Sequence, residues 1–148
     1  MYEKILVPLD GSKRAERILP HVEKLARDND AVVIFLTVVS TSKVFGYDEL
    51  QYAHFQETFD PAMKESEKYV KGLAGQLKTK GIGARHRAVM GPVVKEILDS
   101  AEREDVDLVA ICSHGRGGLS RLFYGSIASG ILNRVDRPLL VIRARRNG

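Results

Sequence analysis

The chain has 148 residues, the length of one ordinary domain, and 44% of them are hydrophobic and 28% charged. Its 13 glycines and 5 prolines are ordinary fractions, so neither a fibrous nor a disordered protein is indicated. Its single cysteine, Cys112, excludes a disulfide framework and a zinc site built from several cysteines. The longest apolar stretch, Ala31–Val39, is far shorter than the roughly 20 residues that cross a bilayer. The start, Met-Tyr-Glu-Lys, lacks the basic-then-apolar layout of a signal peptide. We therefore predict one soluble, cytoplasmic domain over residues 1–148, with no membrane partner.

The net charge is +4, from 23 Lys and Arg against 19 Asp and Glu. A positive net charge suggests that the chain could bind nucleic acid, so the distribution of the charges matters. The positive residues are spread along the chain except in two clusters, residues 85–87 and 143–146. Neither cluster is interleaved with the aromatic residues on which single-stranded bases stack. The charge pattern therefore argues against nucleic acid binding.

The first half of the chain predicts two strands and two helices. Ile5–Leu9 is a short apolar run, and the Asp-Gly-Ser that follows announces a helix with Ser12 as its N-cap. Ala31–Val39 has the composition of a strand buried on both faces. Ser40–Asp60 is longer than the usual connection, so we predict a functional loop or a partly mobile segment there. A second helix is predicted over roughly Pro61–Gly81, opened by the proline.

The second half predicts three strands and two helices. Ile82–Met90 partly alternates between apolar and polar residues, as a strand near a sheet edge does. The Gly-Pro pair after it begins a third helix, with the apolar residues of Val93–Ala101 on one face. Val106–Cys112 is another apolar strand, and a glycine-rich stretch leads to a fourth helix over roughly Ser126–Val135. A last strand, Leu139–Arg143, follows.

Strands that alternate with helices predict an α/β fold: a doubly wound parallel sheet of five strands with four helices on its two faces. The strand order is left open between 2-1-3-4-5 and 3-2-1-4-5. In either order Leu139–Arg143 lies at an edge, where an apolar strand invites pairing with another chain. A two-fold homodimer through Leu139–Arg143 would satisfy both edges, unless a loop or the C-terminal arginines cover them.

Ligands of doubly wound sheets bind beyond the carboxyl ends of the strands, which draws attention to the stretch after Cys112. Ser113-His114-Gly115 is followed, nine residues later, by Gly125-Ser126 at the head of a helix. Glycines let backbone N–H groups face an anion, and a helix N-terminus adds donors and partial positive charge, so this stretch can bind phosphate. A flexible turn with Ser126 as a helix cap is the alternative. No P-loop is present, and Gly-x-Gly-x-x-Gly lacks its third glycine.

Residues 112–126, Cys-Ser-His-Gly-Arg-Gly-Gly-Leu-Ser-Arg-Leu-Phe-Tyr-Gly-Ser, resemble the ATP-binding loop of universal stress proteins, whose pattern is Gly-x2-Gly-x9-Gly-Ser/Thr. The resemblance extends to Ile5–Ser12, Glu104–Val109 and Arg137–Ile142, so it covers essentially the whole chain apart from residues 40–60. It implies a flavodoxin-like (Rossmann-like) fold, a homodimer and, in one subgroup of the family, bound ATP.

The resemblance also implies, position by position, which residues would contact an adenine nucleotide. Pro8, Leu9 and Asp10 would lie at the adenosine end, and the backbone of Val38 would face the adenine. The residues near the ribose and phosphates would be Ile111, Cys112, His114, Gly115, Gly125, Ser126 and Ile127. A divalent ion such as Mg²⁺ would be held through phosphate oxygens and water, with no metal site of its own.

One position departs from the family pattern, because Cys112 stands where the pattern has its first glycine. If that position needs a positive φ or a very close backbone approach, a Cβ costs about 1 kcal/mol or more and weakens binding. One function is therefore an ATP-binding, dimeric stress-response module, and the alternative is a dimeric interaction protein that has lost nucleotide binding. No general base or Walker-type lysine is arranged, so we assign no catalytic residue and expect slow hydrolysis or autophosphorylation at most.

Overall fold

The structure is a computed structural model that describes residues 1–41, 49–113 and 125–143, without the side chains of residues 49–59. Strands and α-helices alternate along these residues: β1 Lys4–Pro8, α1 Leu19–Asn29, β2 Val32–Ser40, α2 Glu49–Thr79, β3 Ala84–Gly91, α3 Val93–Arg103, β4 Leu108–Ser113, α4 Gly125–Arg134 and β5 Leu139–Arg143. A 3₁₀ helix, Ala15–Ile18, leads into α1. Among the described helices, none combines the length and the hydropathy that a membrane span requires.

The five strands form one parallel sheet in the order β3-β2-β1-β4-β5. This confirms the predicted doubly wound α/β fold with four helices and selects the order 3-2-1-4-5 from the two that the sequence left open. The central strand β1 is buried on both faces, and Ile5, Leu6 and Val7 have no exposed surface. β3 and β5 are the two edge strands; the alternation of residues in β3 predicted its position, and both candidate strand orders placed β5 at an edge.

The sheet separates two hydrophobic clusters, one on each face. Alternate residues of β2 divide between them, since Phe35 packs toward α1 and α2 while Ile34 packs toward α3 and α4. Val22 of α1 and Val70 of α2 belong to the first cluster, and Ile97 of α3 belongs to the second. Both faces of the sheet are therefore covered, which is why the strands read as nearly continuous apolar runs.

The prediction that Pro61 opens the second helix is wrong. In the structure α2 begins at Glu49, and Pro61 lies inside it. A proline removes one backbone donor and crowds the preceding turn, but it does not stop a helix that has strong formers on both sides. Residues 49–60 include Glu, Leu, Gln and Ala, which favour helix, so the helix occupies part of the segment that was expected to be irregular. Residues 42–48 lie outside the described part of the chain.

Gly130 of α4 allows the two helices on one face of the sheet to approach closely. A Cβ at this position would lie 2.9 Å from Cγ2 of Val94 on α3, closer than such atoms pack. A glycine therefore brings α4 directly against α3, and the first turn of α4 lies beside the carboxyl ends of the central strands.

Asp107 forms hydrogen bonds with the backbone at the start of the central strand β1. Its Oδ2 accepts hydrogen bonds from the backbone N–H groups of Glu3 at 2.7 Å and Lys4 at 2.8 Å. These two hydrogen bonds hold the pKa of Asp107 below its usual range, because they favour the charged carboxylate. Asp107 lies in one of the segments that resemble universal stress proteins, and the structure gives it a role in holding the fold.

Arg137 plays a similar role at the start of β5. Its side chain is 15% exposed, and Nη1 donates to the backbone carbonyls of Ala101 at 2.7 Å and Val106 at 3.1 Å. Nε donates to the carboxylate of Asp136 at 2.9 Å. The arginine therefore ties β5 to the end of α3 and the chain before β4.

Replacing Asp107 with alanine removes the acceptor for both N–H groups. We expect this change to lower the free energy of unfolding by about 1 kcal/mol near pH 7, less than two buried charged hydrogen bonds would contribute, because water screens the exposed carboxylate. Because the folded pKa is depressed, the stabilisation is present above the ordinary value of 3.8 and is lost as the pH falls through the folded pKa. Chemical denaturation of both proteins from neutral pH into acid should show a difference that shrinks only below about pH 3.8.

The matched control is Asp28→Ala, because Asp28 forms an exposed i,i+4 ion pair with Lys24 at 3.0 Å, a contact worth a few tenths of a kcal/mol. Equal losses in the two variants, or a loss at Asp107 that does not change in acid, would contradict this role for Asp107.

Candidate functional site

A cleft opens at the carboxyl ends of the strands, on the face of the sheet that carries α3 and α4. In the observed order, connections leave β1 toward β2 and leave β4 toward β5, so they diverge between β1 and β4. This divergence is the topological switch point at which doubly wound sheets bind ligands. The cleft has a volume of about 160 Å³ and opens to solvent.

The floor of the cleft is apolar and comes from four elements. Its side chains are Leu36 and Val38 of β2, Val93 and Ile97 of α3, Ile111 of β4, and Ala128 and Ile131 of α4. Most of them belong to the hydrophobic cluster on this face, so the floor is continuous with the core. A flat aromatic group is the kind of ligand that such a floor can cover without leaving polar atoms unpaired.

Asp10 follows β1 at the mouth of this cleft. Its Oδ1 accepts a hydrogen bond from the backbone N–H of Ser12 at 2.9 Å, and the Ser12 Oγ accepts one from the backbone N–H of Ala15 at 3.1 Å. Burial raises the pKa of Asp10, but hydrogen bonds from Ser12 and from the backbone, together with the nearby Arg14 charge, outweigh burial and leave that pKa below its ordinary value. Asp10 therefore carries a negative charge near neutral pH and has a fixed orientation. The Asp10–Ser12 turn also leads the chain toward α1.

Arg14 brings a positive charge to the same cleft. Its side chain lines the cleft next to Asp10, and its charge also favours the ionised form of the Asp10 carboxyl. Among the described residues of the lining, Arg14 is the cation and Asp10 the anion. The cleft thus presents one charge of each sign beside an apolar floor.

The first turn of α4 forms another wall of the cleft. Ser126 and Ile127 line it and both are exposed, Ile127 to 43%. The helix begins at Gly125 and is ten residues long. Its first backbone N–H groups have no partner within the helix and carry partial positive charge, so this wall favours an anionic group.

Cys112 lies in β4 and lines the cleft from the sheet. It is half-buried, and its Sγ approaches the carbonyl oxygen of Ser113 at 3.8 Å. Positive φ among the described non-glycine residues occurs at Asp30 and Asp105, so Cys112 has an ordinary strand conformation. A positive φ, one of the two conditions under which a Cβ would weaken binding, is therefore absent, and the Cys112 side chain packs against the hydrophobic cluster on the α1 and α2 face.

Eight of the eleven residues proposed for the nucleotide line this one cleft: Pro8, Leu9, Asp10, Val38, Ile111, Cys112, Ser126 and Ile127. Gly125 is the first residue of α4, directly before the wall that Ser126 forms. His114 and Gly115 lie outside the described residues. The structure thus brings the described candidates together, and their role in binding stays a prediction.

Sequence reasoning missed most of the floor, namely Leu36, Val93, Ile97 and Ile131, as well as Arg14 on the rim. The sequence predicted the apolar residues only as members of a strand and of two helices, and all but Val93 are buried in the structure. The alternation of β2 held a usable signal, because Leu36 and Val38 fall on the same face of the strand. Nothing in the sequence pattern marks Arg14 as a rim residue.

Metal ligands do not gather in the described part of the chain, where no three His, Cys, Asp or Glu side chains lie close enough to hold an ion.

The basic cluster of β3 is engaged in ion pairs, since Nη1 of Arg85 and Nη1 of Arg87 lie 3.2 Å and 3.8 Å from the carboxylate of Glu104.

Comparison with known proteins gives a consistent result. Residues 1–143 match the model of the universal stress protein family. The chain is similar to universal stress protein MJ0531 of Methanocaldococcus jannaschii, with 28% identity over 97% of this chain and 83% of that protein. It is also similar to the solved structure of MJ0577 from the same organism, with a TM-score of 0.83 and 29% identity over 100% of this chain and 99% of the other. A family structure from Arabidopsis thaliana with AMP bound shares the fold, with a TM-score of 0.66 and 13% identity over 98% and 94% of the two chains.

Proposed function

The chain belongs to the universal stress protein family, and from that premise we propose that it binds an adenine nucleotide, ATP with Mg²⁺, in the cleft at the carboxyl ends of β1, β2 and β4. In this proposal it acts in the cytoplasm as a dimeric stress-response or regulatory module. The observation that carries the proposal is the meeting of an apolar floor, an oriented carboxylate and a helix N-terminus around one cavity. The related structure with AMP bound supports the class of ligand.

The residues of the cleft fit the two ends of a nucleotide. The apolar floor that includes Val38 and Ile111 suits the face of an adenine ring. The Asp10 carboxylate accepts hydrogen bonds from hydroxyl groups, as a ribose would offer, and repels phosphate. The first turn of α4, with the Ser126 hydroxyl, favours phosphate. The charges therefore orient the ligand, with adenosine toward β1 and phosphates toward α4.

Mg²⁺ enters the proposal through the phosphates. The described residues of the cleft supply one carboxylate, Asp10, which is fewer ligands than a protein-held metal site needs. The ion would supply neutralisation of phosphate charge, and the protein would hold the phosphates at the N-terminus of α4. The described lining includes no lysine and no second carboxylate, which is consistent with slow hydrolysis at most.

The homodimer is proposed to form through β5. This strand lies at an edge of the sheet, and Leu139, Leu140, Val141 and Ile142 are each half-buried. Leu139 and Val141 pack toward one face of the sheet, and Leu140 and Ile142 toward the other. A partner strand added here would pair the outer backbone groups and cover apolar side chains on both faces.

Nucleic acid is not proposed as a partner, since Arg85 and Arg87 are paired with Glu104.

Isothermal titration calorimetry of the nucleotide-stripped protein with Mg-ATP tests the cleft. We expect micromolar binding, weakened about tenfold by Asp10→Asn, because the amide keeps the turn to Ser12 but removes the charged acceptor. Asp99→Asn, an exposed carboxylate of α3 that pairs with Lys95, is the matched control and should leave the affinity unchanged. Cys112→Gly restores the glycine of the family pattern and should leave the affinity within about twofold of wild type, because the thiol packs on the α1 and α2 face and the backbone already has a strand conformation.

Two results would count against nucleotide binding by this protein. If wild type shows no binding but Cys112→Gly does, the cleft has lost its ligand and the chain acts as a dimeric interaction protein. If neither protein binds Mg-ATP, AMP or cyclic AMP, the proposal for the cleft is wrong.

A lysine at the β5 edge tests the dimer. We expect Val141→Lys to convert a dimer into a monomer, measured by size-exclusion chromatography with light scattering, because a charged edge residue blocks strand pairing. Leu140→Lys, on the other face of β5, should do the same. Met90→Lys is the control, since Met90 is 39% exposed on the opposite edge strand β3. A wild-type monomer, or dimers that persist in both β5 variants while thermal unfolding stays cooperative, would rule this interface out.

A further inference from the structure

A second cavity, of about 330 Å³, lies on the other face of the sheet from the nucleotide cleft. Its walls come from the chain after β1, the end of β2 and one side of α2. Asp10 is the described residue that lines both cavities, so its carboxylate stands between them. The nucleotide proposal uses the cleft on the α3 and α4 face and leaves this cavity on the α1 and α2 face without a role.

The polar groups of this cavity are hydrogen-bond acceptors of negative or neutral charge. Asp10 and Glu65 contribute carboxylates, and Ser66 contributes a hydroxyl. Tyr69 donates its phenolic hydrogen to Oε2 of Glu16 at 2.6 Å, so its oxygen can only accept a further hydrogen bond. Burial, together with the hydrogen bond to Glu16, raises the pKa of Tyr69 far above its ordinary value and keeps that hydrogen in place. Among the described residues of the lining there is no lysine or arginine.

Thr37 adds a polar group that the fold itself does not use. The residue is 5% exposed, and strand alternation places its side chain on the same face as Phe35, toward α2. Its side chain lines the cavity, and within the described part of the chain its hydroxyl forms no hydrogen bond. The side chain is almost fully enclosed, but its oxygen is not among the buried polar atoms that lack a partner, so the accessible surface that remains borders the cavity. The hydroxyl is therefore available to hydrogen-bond a molecule bound in the cavity.

We propose that this cavity binds a small organic cation that carries several N–H donors, a guanidinium or a primary ammonium group. Asp10 and Glu65 supply the opposite charge, and Thr37, Ser66 and Tyr69 supply oxygen acceptors for the N–H groups. A bare metal ion fits less well, since the described residues gather no set of three metal-ligating side chains and the cavity is much larger than one ion. The proposal does not require a bound nucleotide, and because Asp10 borders both cavities the test uses nucleotide-free protein.

The test is an NMR titration of the nucleotide-free full chain with methylguanidinium, and with methylurea as a neutral molecule of nearly the same shape. We expect saturable shifts of the backbone resonances of Thr37, Ser66 and Tyr69 with methylguanidinium, at millimolar dissociation constants, and no saturable shifts with methylurea. Butane-1,4-diamine serves as the ammonium probe and should compete with methylguanidinium for the same resonances.

Matched variants assign the effect to the cavity. Thr37→Val and Glu65→Gln should each weaken methylguanidinium binding about fivefold, the value of one hydrogen bond or one partly exposed charge. Thr37→Ser, which keeps the hydroxyl, should retain the wild-type affinity, and so should Glu67→Gln, an exposed carboxylate of α2 that does not line the cavity. Equal binding of methylurea, or methylguanidinium affinity that survives both Thr37→Val and Glu65→Gln in folded protein, would overturn the proposal.

Discussion

The position of β1 in the middle of an all-parallel sheet controls where this protein can bind anything. β1 is paired with β2 on one side and β4 on the other, and Ile5, Leu6 and Val7 are buried on both of its faces. All the strand pairs are parallel, so the carboxyl ends of the strands, and the side chains that follow them, lie at the same end of the sheet. The helices that follow these ends diverge around β1, which leaves a cavity on each face.

The two cavities differ in chemistry because they lie on opposite faces of the same strands. On the α3 and α4 face, Leu36 and Val38 of β2 form part of an apolar floor, and the first turn of α4 offers unpaired N–H groups. On the α1 and α2 face, Thr37 of the same strand meets hydroxyl and carboxylate oxygens. Asp10 lies between the cavities, and hydrogen bonds from Ser12 together with the Arg14 charge hold its pKa below the ordinary value, so a charge at this one position acts on both cavities.

Several features of the fold and the site were accessible from the sequence, because each rests on a local pattern. Apolar runs indicated the five strands, and β5 was correctly placed at an edge because both candidate strand orders end with it. The boundaries of α2 were not accessible, since Pro61 is a signal for a helix start as well as a tolerated interior residue. The conformation at Cys112 was also undecided, because a sequence gives no φ value, and the structure places it in an ordinary strand.

By itself, the sequence determined the alternation of strands and helices, the family and the residues that come together at the carboxyl ends, since spacing and composition follow from the chain alone. The tertiary structure decided which of two strand orders holds, which floor residues face the cleft, and that Arg14 lies on its rim. It also decided that Thr37 opens on a separate, acceptor-lined cavity. These properties depend on distances between residues far apart in the chain, and only packing of the helices onto the sheet sets those distances.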